Sequence, residues 1–165
     1  EFISKVAEET GLSEEYIENN EQKRDVLASL NNGYYSGLNN SDELFIKESE
    51  LIKEVADKES CVIVGRCADF ILSGRENVIN VFVYSDMNDK INRATTYYGM
   101  DKAKAEKEIK RIDKLRANHY KYYTDKDWDN HSNYDICINS DAFGVEKSAD
   151  LICELVESKL EMIKA

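Results

Sequence analysis

Three short apolar runs alternate with longer segments of helical periodicity along this chain. They occupy residues 61–64, 78–84 and 134–139, and each is rich in valine or isoleucine. Runs this short that stay apolar on both alternating faces are typical of strands buried on both sides of a parallel sheet. We therefore predict an interior strand at residues 61–64, with Val81 and Ile138 in neighbouring strands of the same sheet.

The segments between these runs repeat apolar residues at spacings of three and four, which predicts helices with one inward face. Ser85 and Asp86 are the predicted cap at the start of one of them, and Gly99 is predicted to end it. The predicted helices cover residues 42–58, 68–72, 87–98, 101–123 and 145–163, preceded by shorter helical segments within 2–30.

Strands that alternate with helices indicate βαβ units, and hence an α/β fold with a parallel sheet flanked by helices. No composition shift or internal repeat divides the sequence, so we expect a single domain over residues 1–165. Three strands are few for this length. We therefore expect one or more further strands, ahead of residue 1.

The composition is that of a soluble globular protein, with 42% hydrophobic and 33% charged residues. No apolar run is long enough for a membrane span, and a formal net charge of −11 argues against a nucleic-acid partner. Four cysteines without C-x-x-C spacing are expected to be reduced thiols of a cytoplasmic protein, with Cys61, Cys137 and Cys153 in its core. Cys67 is interpreted as structural, the alternative being a lower-pKa thiol beside Arg66.

Positive charge is concentrated in one segment. Residues 90–126 contain eleven Lys or Arg against five Asp or Glu, a net +6 in a chain of −11, which leaves −17 for the other residues. A basic pair of helices on an acidic protein is a candidate surface for phosphate oxygens. The alternative is a solvated helix with intrahelical pairs such as Glu106 with Lys110, and charge alone leaves both open.

The arginines of this segment are few and spaced. Arg93 lies on the first predicted helix, Arg111 and Arg116 lie on the second, and Asp113 is placed to pair with Arg116 on one helical face. Arginine is suited to bidentate phosphate contacts. Because Gly99 separates the two helices, we predict a helical lid over about residues 87–126 that closes over phosphates.

Arg66 follows the first predicted strand, after Gly65. Ligands of open α/β sheets bind at the carboxyl ends of the strands, so Arg66 is a candidate anion-binding residue. The alternative is an arginine that pairs with a local carboxylate such as Asp69.

Several motifs, in this order, resemble the cytidylate kinase-like family. They are V-I-V-G-R-C-A-D-F-I-L, then E-I-K-R-I-D-K-L-R-A-N-H-Y-K-Y-Y-T, a tryptophan-containing loop, and Y-D-I-C-I-N-S followed by G-V-E-K-S-A-D-L-I. The resemblance implies a three-layer P-loop nucleoside monophosphate kinase fold with a helical lid. It implies transfer of the γ-phosphate of ATP, with Mg²⁺, to CMP, dCMP or a related nucleotide, with small-molecule nucleotides as the partners.

The resemblance also implies roles for single residues. Substrate binding is implied for Gly65, Arg66, Asp69, Arg93 and Asp113; catalysis for Arg111 and Arg116; and a border of the adenine site for Asn139, Ser140 and Gly144. No metal ligand is assigned. In true cytidylate kinases an aspartate directly follows the arginine and helps to read the base, whereas this chain has Cys67 there and its next acid is Asp69.

The family's phosphate-cradling loop, G-x-x-x-x-G-K-[S/T], does not occur in the 165 residues. We expect the first strand and this loop ahead of residue 1, and we expect that the chain as written does not bind ATP tightly by itself. A non-catalytic descendant that binds a nucleotide or a protein is the alternative. We further expect Arg66 and the lid arginines to converge on one anion site when a nucleotide is bound.

Overall fold

The computed structural model describes residues 40–164, together with Ser4, Val6, Ala7 and Glu15. The helices predicted within residues 2–30 lie, apart from those four positions, outside the described residues. The elements are α1 Asn40–Lys58, α2 Ala68–Ile71, β1 Val81–Tyr84, α3 Met87–Tyr98, α4 Lys102–Thr124, a 3₁₀ turn His131–Asn133, β2 Ile136–Asn139 and α5 Ser140–Lys164. The described part is a mostly helical α/β structure with a small parallel sheet.

The described residues fall into two compact units. One comprises those of Glu1–Ile71 and Asn118–Asp125, and the other comprises Leu72–Ala117 and the described part of Lys126–Ala165. The expected single domain over residues 1–165 stays a prediction.

The first unit is organised around α1. Asp42 and Glu43 lie in its first turn and Lys58 in its last, which complements the helix dipole at both ends. The inward stripe of α1 buries Leu44, Leu51 and Ile52, and Leu44 and Leu51 cluster with Val6. α1 also packs against α2. The predicted helix and its inward face are confirmed here, with a start two residues earlier.

The second unit contains the sheet. β1 and β2 are parallel, in a register that pairs Val81 with Ile136 and Val83 with Ile138. α5 packs on both strands. In the loop between α4 and β2, the ring of Trp128 meets the ring of Phe82 on β1 edge-on at 5.5 Å.

Local signals set the ends of α3 as predicted. The Asp86 carboxylate accepts a hydrogen bond from the backbone N–H of Asp89 at 2.9 Å. At the other end Gly99 has φ +63°, and the Met100 N–H reaches the Ala94 carbonyl at 3.1 Å. Glycine suits this position because a side chain disfavours the left-handed conformation.

The strand predicted at residues 61–64 is wrong. These residues have no regular secondary structure, and Val62 and Val64 are 93% and 85% exposed. An apolar run becomes a buried strand only where neighbours supply a hydrogen-bond ladder and helices cover it. The described sheet consists of β1 and β2 alone, so the segment has no place in it. The three-layer arrangement stays a prediction.

The core positions predicted for Cys61, Cys137 and Cys153 are wrong, whereas the structural interpretation of Cys67 agrees with its burial. All four thiols are free, but Cys61, Cys137 and Cys153 are exposed, and Cys67 is buried. Cys137 lies on β2 beside the buried Ile138. Successive strand residues point to opposite faces. Cys137 would be in the core only if both faces of the sheet were covered, and in the described sheet the face that carries Cys137 is exposed.

Within the part of the chain that the structure describes, no helix has the length and apolar character that a membrane span needs.

Candidate functional site

A tight turn carries Arg66. The Ala68 N–H donates to the Gly65 carbonyl at 3.1 Å, and the φ angles of Gly65, Arg66 and Cys67 are +74°, +57° and +54°. Positive φ at both central residues is the pattern of a type I′ turn, which usually takes Asn-Gly. Each non-glycine residue costs about 1–2 kcal/mol in this region, and strain of this kind is concentrated at functional sites.

The turn leads directly into α2, because the Cys67 carbonyl accepts from the N–H groups of Phe70 and Ile71 at 3.0 and 2.9 Å. The C-terminal end of the turn is therefore fixed by the start of α2.

Glu48 holds the Arg66 side chain from α1. Arg66 Nη1 donates to Glu48 Oε1, across eighteen residues of sequence. The two side chains are only 17% and 4% exposed. Burial raises the pKa of Glu48 to about 7 and lowers the pKa of Arg66, a group that stays cationic in proteins. The alternative to anion binding is a pair with a local carboxylate such as Asp69, and the structure instead pairs Arg66 with Glu48, a carboxylate distant in the sequence.

Two further side chains complete the surroundings of the turn. Cys67 is 4% exposed, and burial, helped by the charges of Asp69 and Glu48, raises its pKa to about 12. The thiol is therefore protonated at neutral pH, contrary to the lower-pKa alternative. The Tyr120 hydroxyl donates to Asp69 Oδ2 at 2.5 Å, so the carboxylate predicted to bind substrate is anchored to α4.

An aromatic layer lies in the same unit. The rings of Phe45 and Tyr123 stack at 3.8 Å, and the His119 ring meets them edge-on at 6.3 and 4.8 Å. Burial and the charge of Arg66 lower the pKa of His119. The imidazole is therefore neutral at pH 7, and it adds no second positive charge beside the guanidinium.

The lid segment, residues 87–126, contributes a second set of predicted residues. Lys90 Nζ on α3 donates to Asp113 Oδ2 on α4 at 2.8 Å, which joins the two helices. The other oxygen of Asp113 accepts from Arg116 Nη1 at 3.2 Å, the pair predicted from the sequence. Arg93 lies 4.0 Å from Asp89.

The lid arginines differ in how firmly they are held. Arg111 gives Glu108 two hydrogen bonds, from Nε at 2.9 Å and Nη2 at 2.6 Å, whereas Arg116 shares Asp113 with Lys90. Intrahelical pairs of the kind expected for a solvated helix are therefore present. Exposed pairs contribute little to stability because water screens them, so exchanging one for a phosphate contact costs little.

The residues predicted to border an adenine lie where β2 meets α5. Asn139 Oδ1 accepts from the Asp141 N–H at 3.0 Å, and the buried Ser140 hydroxyl donates to the Tyr84 carbonyl at 3.2 Å. Gly144 kinks α5 with φ +75°, and its carbonyl accepts from Ser148 at 2.6 Å. Ser140 thus joins β1 to the start of α5.

Arg66 and Asp69 belong to the first unit, and the other predicted side chains belong to the second. The expected convergence of Arg66 with Arg93, Arg111 and Arg116 stays a prediction. No group of three or more His, Cys, Asp or Glu side chains able to hold a metal ion occurs among the described residues.

Sequence reasoning missed Glu48, His119 and Tyr120. For Glu48 a signal existed, because a carboxylate four residues after Leu44 and four before Ile52 lies on the inward stripe of α1. A charged group on that face needs a buried partner.

Comparison with known proteins gives a consistent result. The sequence model of the cytidylate kinase-like family matches residues 1–142. A curated cytidylate kinase from Archaeoglobus fulgidus is 28% identical over 108 residues, a match that covers 65% of this chain and 59% of that protein. The chain therefore spans about three-fifths of that relative's length. The crystal structure of an uncharacterised protein from Eubacterium ventriosum is similar with a TM-score of 0.63 and 32% identity, over 72% of this chain and 75% of that one.

Proposed function

The chain belongs to the cytidylate kinase-like family, and from this premise we propose that it acts in a nucleoside monophosphate kinase. The reaction is transfer of the γ-phosphate of ATP to CMP, dCMP or a related nucleotide. The chain supplies the side chains that bind the acceptor monophosphate and those that act on the transferred phosphoryl group.

The observation that carries the proposal is the strained turn with Arg66. A cationic fork, largely withdrawn from water and fixed on a turn of unfavourable backbone geometry, is suited to bind one phosphate group in one orientation. Arg66 binds the phosphate of the acceptor.

The lid arginines act on the transferred phosphoryl group. Phosphoryl transfer is catalysed mainly by positioning and by stabilising the charge on the transferred group. Of the two arginines with an implied catalytic role, Arg116 is held less firmly than Arg111, because its partner Asp113 also accepts from Lys90; Arg116 stabilises that charge. Arg111, with two hydrogen bonds to Glu108, contributes less.

ATP and Mg²⁺ are proposed on the basis of family membership alone. The sequence has no G-x-x-x-x-G-K-[S/T] loop, and the described residues contain no cluster that could hold a metal ion. We therefore assign no described residue to Mg²⁺ or to the donor phosphates. Asn139, Ser140 and Gly144 remain candidates for the adenine border by resemblance.

The residues beside Arg66 do not identify the base of the acceptor nucleotide, so an assay has to identify it. Cys67, with its protonated buried thiol, stands where cytidylate kinases have an aspartate, and the next acid, Asp69, is tied to Tyr120. Neither reproduces a carboxylate beside the arginine. A panel of CMP, dCMP, UMP and AMP therefore covers both pyrimidine and purine acceptors.

The test is a coupled ADP-release assay on the full-length protein with each nucleotide of the panel and Mg-ATP. Activity with at least one acceptor, and a raised KM in Arg66→Ala, is the expected result. Arg75→Ala, outside the turn and the lid segment, is the matched control and should keep wild-type kinetics. Nucleotide binding without any ADP release would instead identify a binding descendant of the family.

A further inference from the structure

Two features that do not favour stability involve the side chain of Arg66. The turn holds Arg66 and Cys67 at positive φ, and the carboxylate of Glu48 is withdrawn from water to pair with Arg66. Left-handed backbone at non-glycine residues is destabilising, and a buried ion pair gains little or nothing over apolar residues of the same volume. Neither feature is explained by stability. What both supply is a fixed place and plane for one guanidinium.

We propose that Glu48 is a positioning residue that fixes the plane of the Arg66 guanidinium for the phosphate of a nucleoside monophosphate, an inference that rests on the proposed function. Glu48 acts through Arg66, and it does not itself bind the anion. A guanidinium is planar and rigid, so one hydrogen-bonded edge sets the direction of every N–H in the group.

The position of Glu48 suits this role. It lies in the middle of α1, a nineteen-residue helix, and its neighbours on the inward face, Leu44 and Ile52, are buried. Its carboxylate therefore has little freedom, and the arginine that it holds is fixed to the unit's main helix. A preorganised donor does not have to be ordered when the ligand binds, which favours affinity.

Charge is also balanced by this arrangement. His119, whose ring lies near Arg66, is kept neutral at pH 7 by a lowered pKa, and the Cys67 thiol stays protonated. Arg66 is the cation that faces Glu48 in this cluster. An arriving phosphate therefore meets one oriented guanidinium and no second titrating cation among these groups.

The test is a double-mutant cycle read by calorimetric CMP binding at pH 8, where the Glu48 carboxyl, with a pKa of about 7, is ionised. The proteins are the wild type, Glu48→Gln, Arg66→Lys and the double variant. Arg66→Lys keeps the charge and removes the planar fork. Glu48→Gln should weaken CMP binding about tenfold, because a neutral amide oxygen holds the guanidinium less firmly than a carboxylate does. In the Arg66→Lys background the same change should have no further effect, because no fork is left to orient.

Glu50→Gln is the matched control, since Glu50 lies on the same helix, is exposed and pairs with Lys47. It should bind CMP as the wild type does. Glu48→Asp, which withdraws the carboxylate by one methylene, takes the place of Glu48→Gln if the latter does not fold, and should weaken binding in the same way.

Three results would overturn the proposal: wild-type affinity in Glu48→Gln, an equal loss in both backgrounds, or no binding of CMP, dCMP, UMP or AMP by the wild type. If the wild type binds another nucleotide of this panel more tightly than CMP, the cycle is read with that nucleotide. An equal loss would identify a merely structural role. Failure of the kinase function itself has a different readout, since it shows as absence of ADP release while the binding cycle keeps its pattern.

Discussion

Replacing Glu48 by glutamine should change how the stability of the protein depends on pH. Burial raises the pKa of Glu48 in the folded chain from 4.5 to about 7. Between these values the folded state holds a proton that the unfolded state has released. The stabilisation from this group is therefore complete below pH 4.5 and is lost as pH rises through 7.

The magnitude follows from the size of the shift. A difference of about 2.5 pKa units corresponds to roughly 3 kcal/mol in the free energy of unfolding, at about 1.36 kcal/mol per unit. This is an upper value, because the charge of Arg66 favours the ionised carboxylate and acts against burial. The other titratable groups around the turn are present in both proteins and cancel in the comparison to first order; they are His119, Cys67, Asp69 and Tyr120.

Urea unfolding of the wild type and of Glu48→Gln at pH 5, 6, 7 and 8 measures the effect. The wild type should lose stability relative to the variant across this range, with most of the loss between pH 5 and 7. Glu50→Gln, at an exposed site on the same helix, should run parallel to the wild type. A wild-type stability that rises relative to Glu48→Gln, or stays level with it, would refute the assignment of a raised pKa.

Three further predictions concern separate parts of the molecule. Gly99→Ala should lower the free energy of unfolding by about 1 kcal/mol in urea titrations, since a Cβ there meets no atom within 4 Å and only the left-handed backbone is penalised; a neutral result would contradict the αL cap. In an active kinase, Arg116→Ala should lower kcat more than Arg111→Ala in steady-state assays, and the reverse order would contradict the assigned roles. A thiol reagent should label the three exposed cysteines of the native protein and spare Cys67, and rapid labelling of all four would contradict its burial.

Sequence reasoning succeeded where the determining interactions are local. The cap by Asp86, the end of α3 at Gly99 and the pair of Asp113 with Arg116 each depend on residues within six positions of one another. Caps and i,i+3 pairs are set by chain geometry alone, so spacing is enough to identify them.

Sequence reasoning failed where residues distant in the sequence determine the structure. The apolar run at residues 61–64 is strand-like in composition, but pairing and cover come from elsewhere in a chain, and the described sheet offers neither. Glu48 and Arg66 are eighteen residues apart, so the ion pair could not be read from spacing. The sequence could show only that Glu48 lies on an apolar face and therefore needs a partner.

The exposed apolar segment at residues 61–64 has a consequence for handling the protein. Val62 and Val64 present β-branched side chains almost fully to water, the kind of sequence that joins strand edges of other molecules into aggregates. Lys58 and Glu59 precede it, and flanking charges of this kind act as gatekeepers against such assembly. Self-association at high protein concentration should increase with added salt, because screening weakens the repulsion between molecules that each carry a net charge of −11.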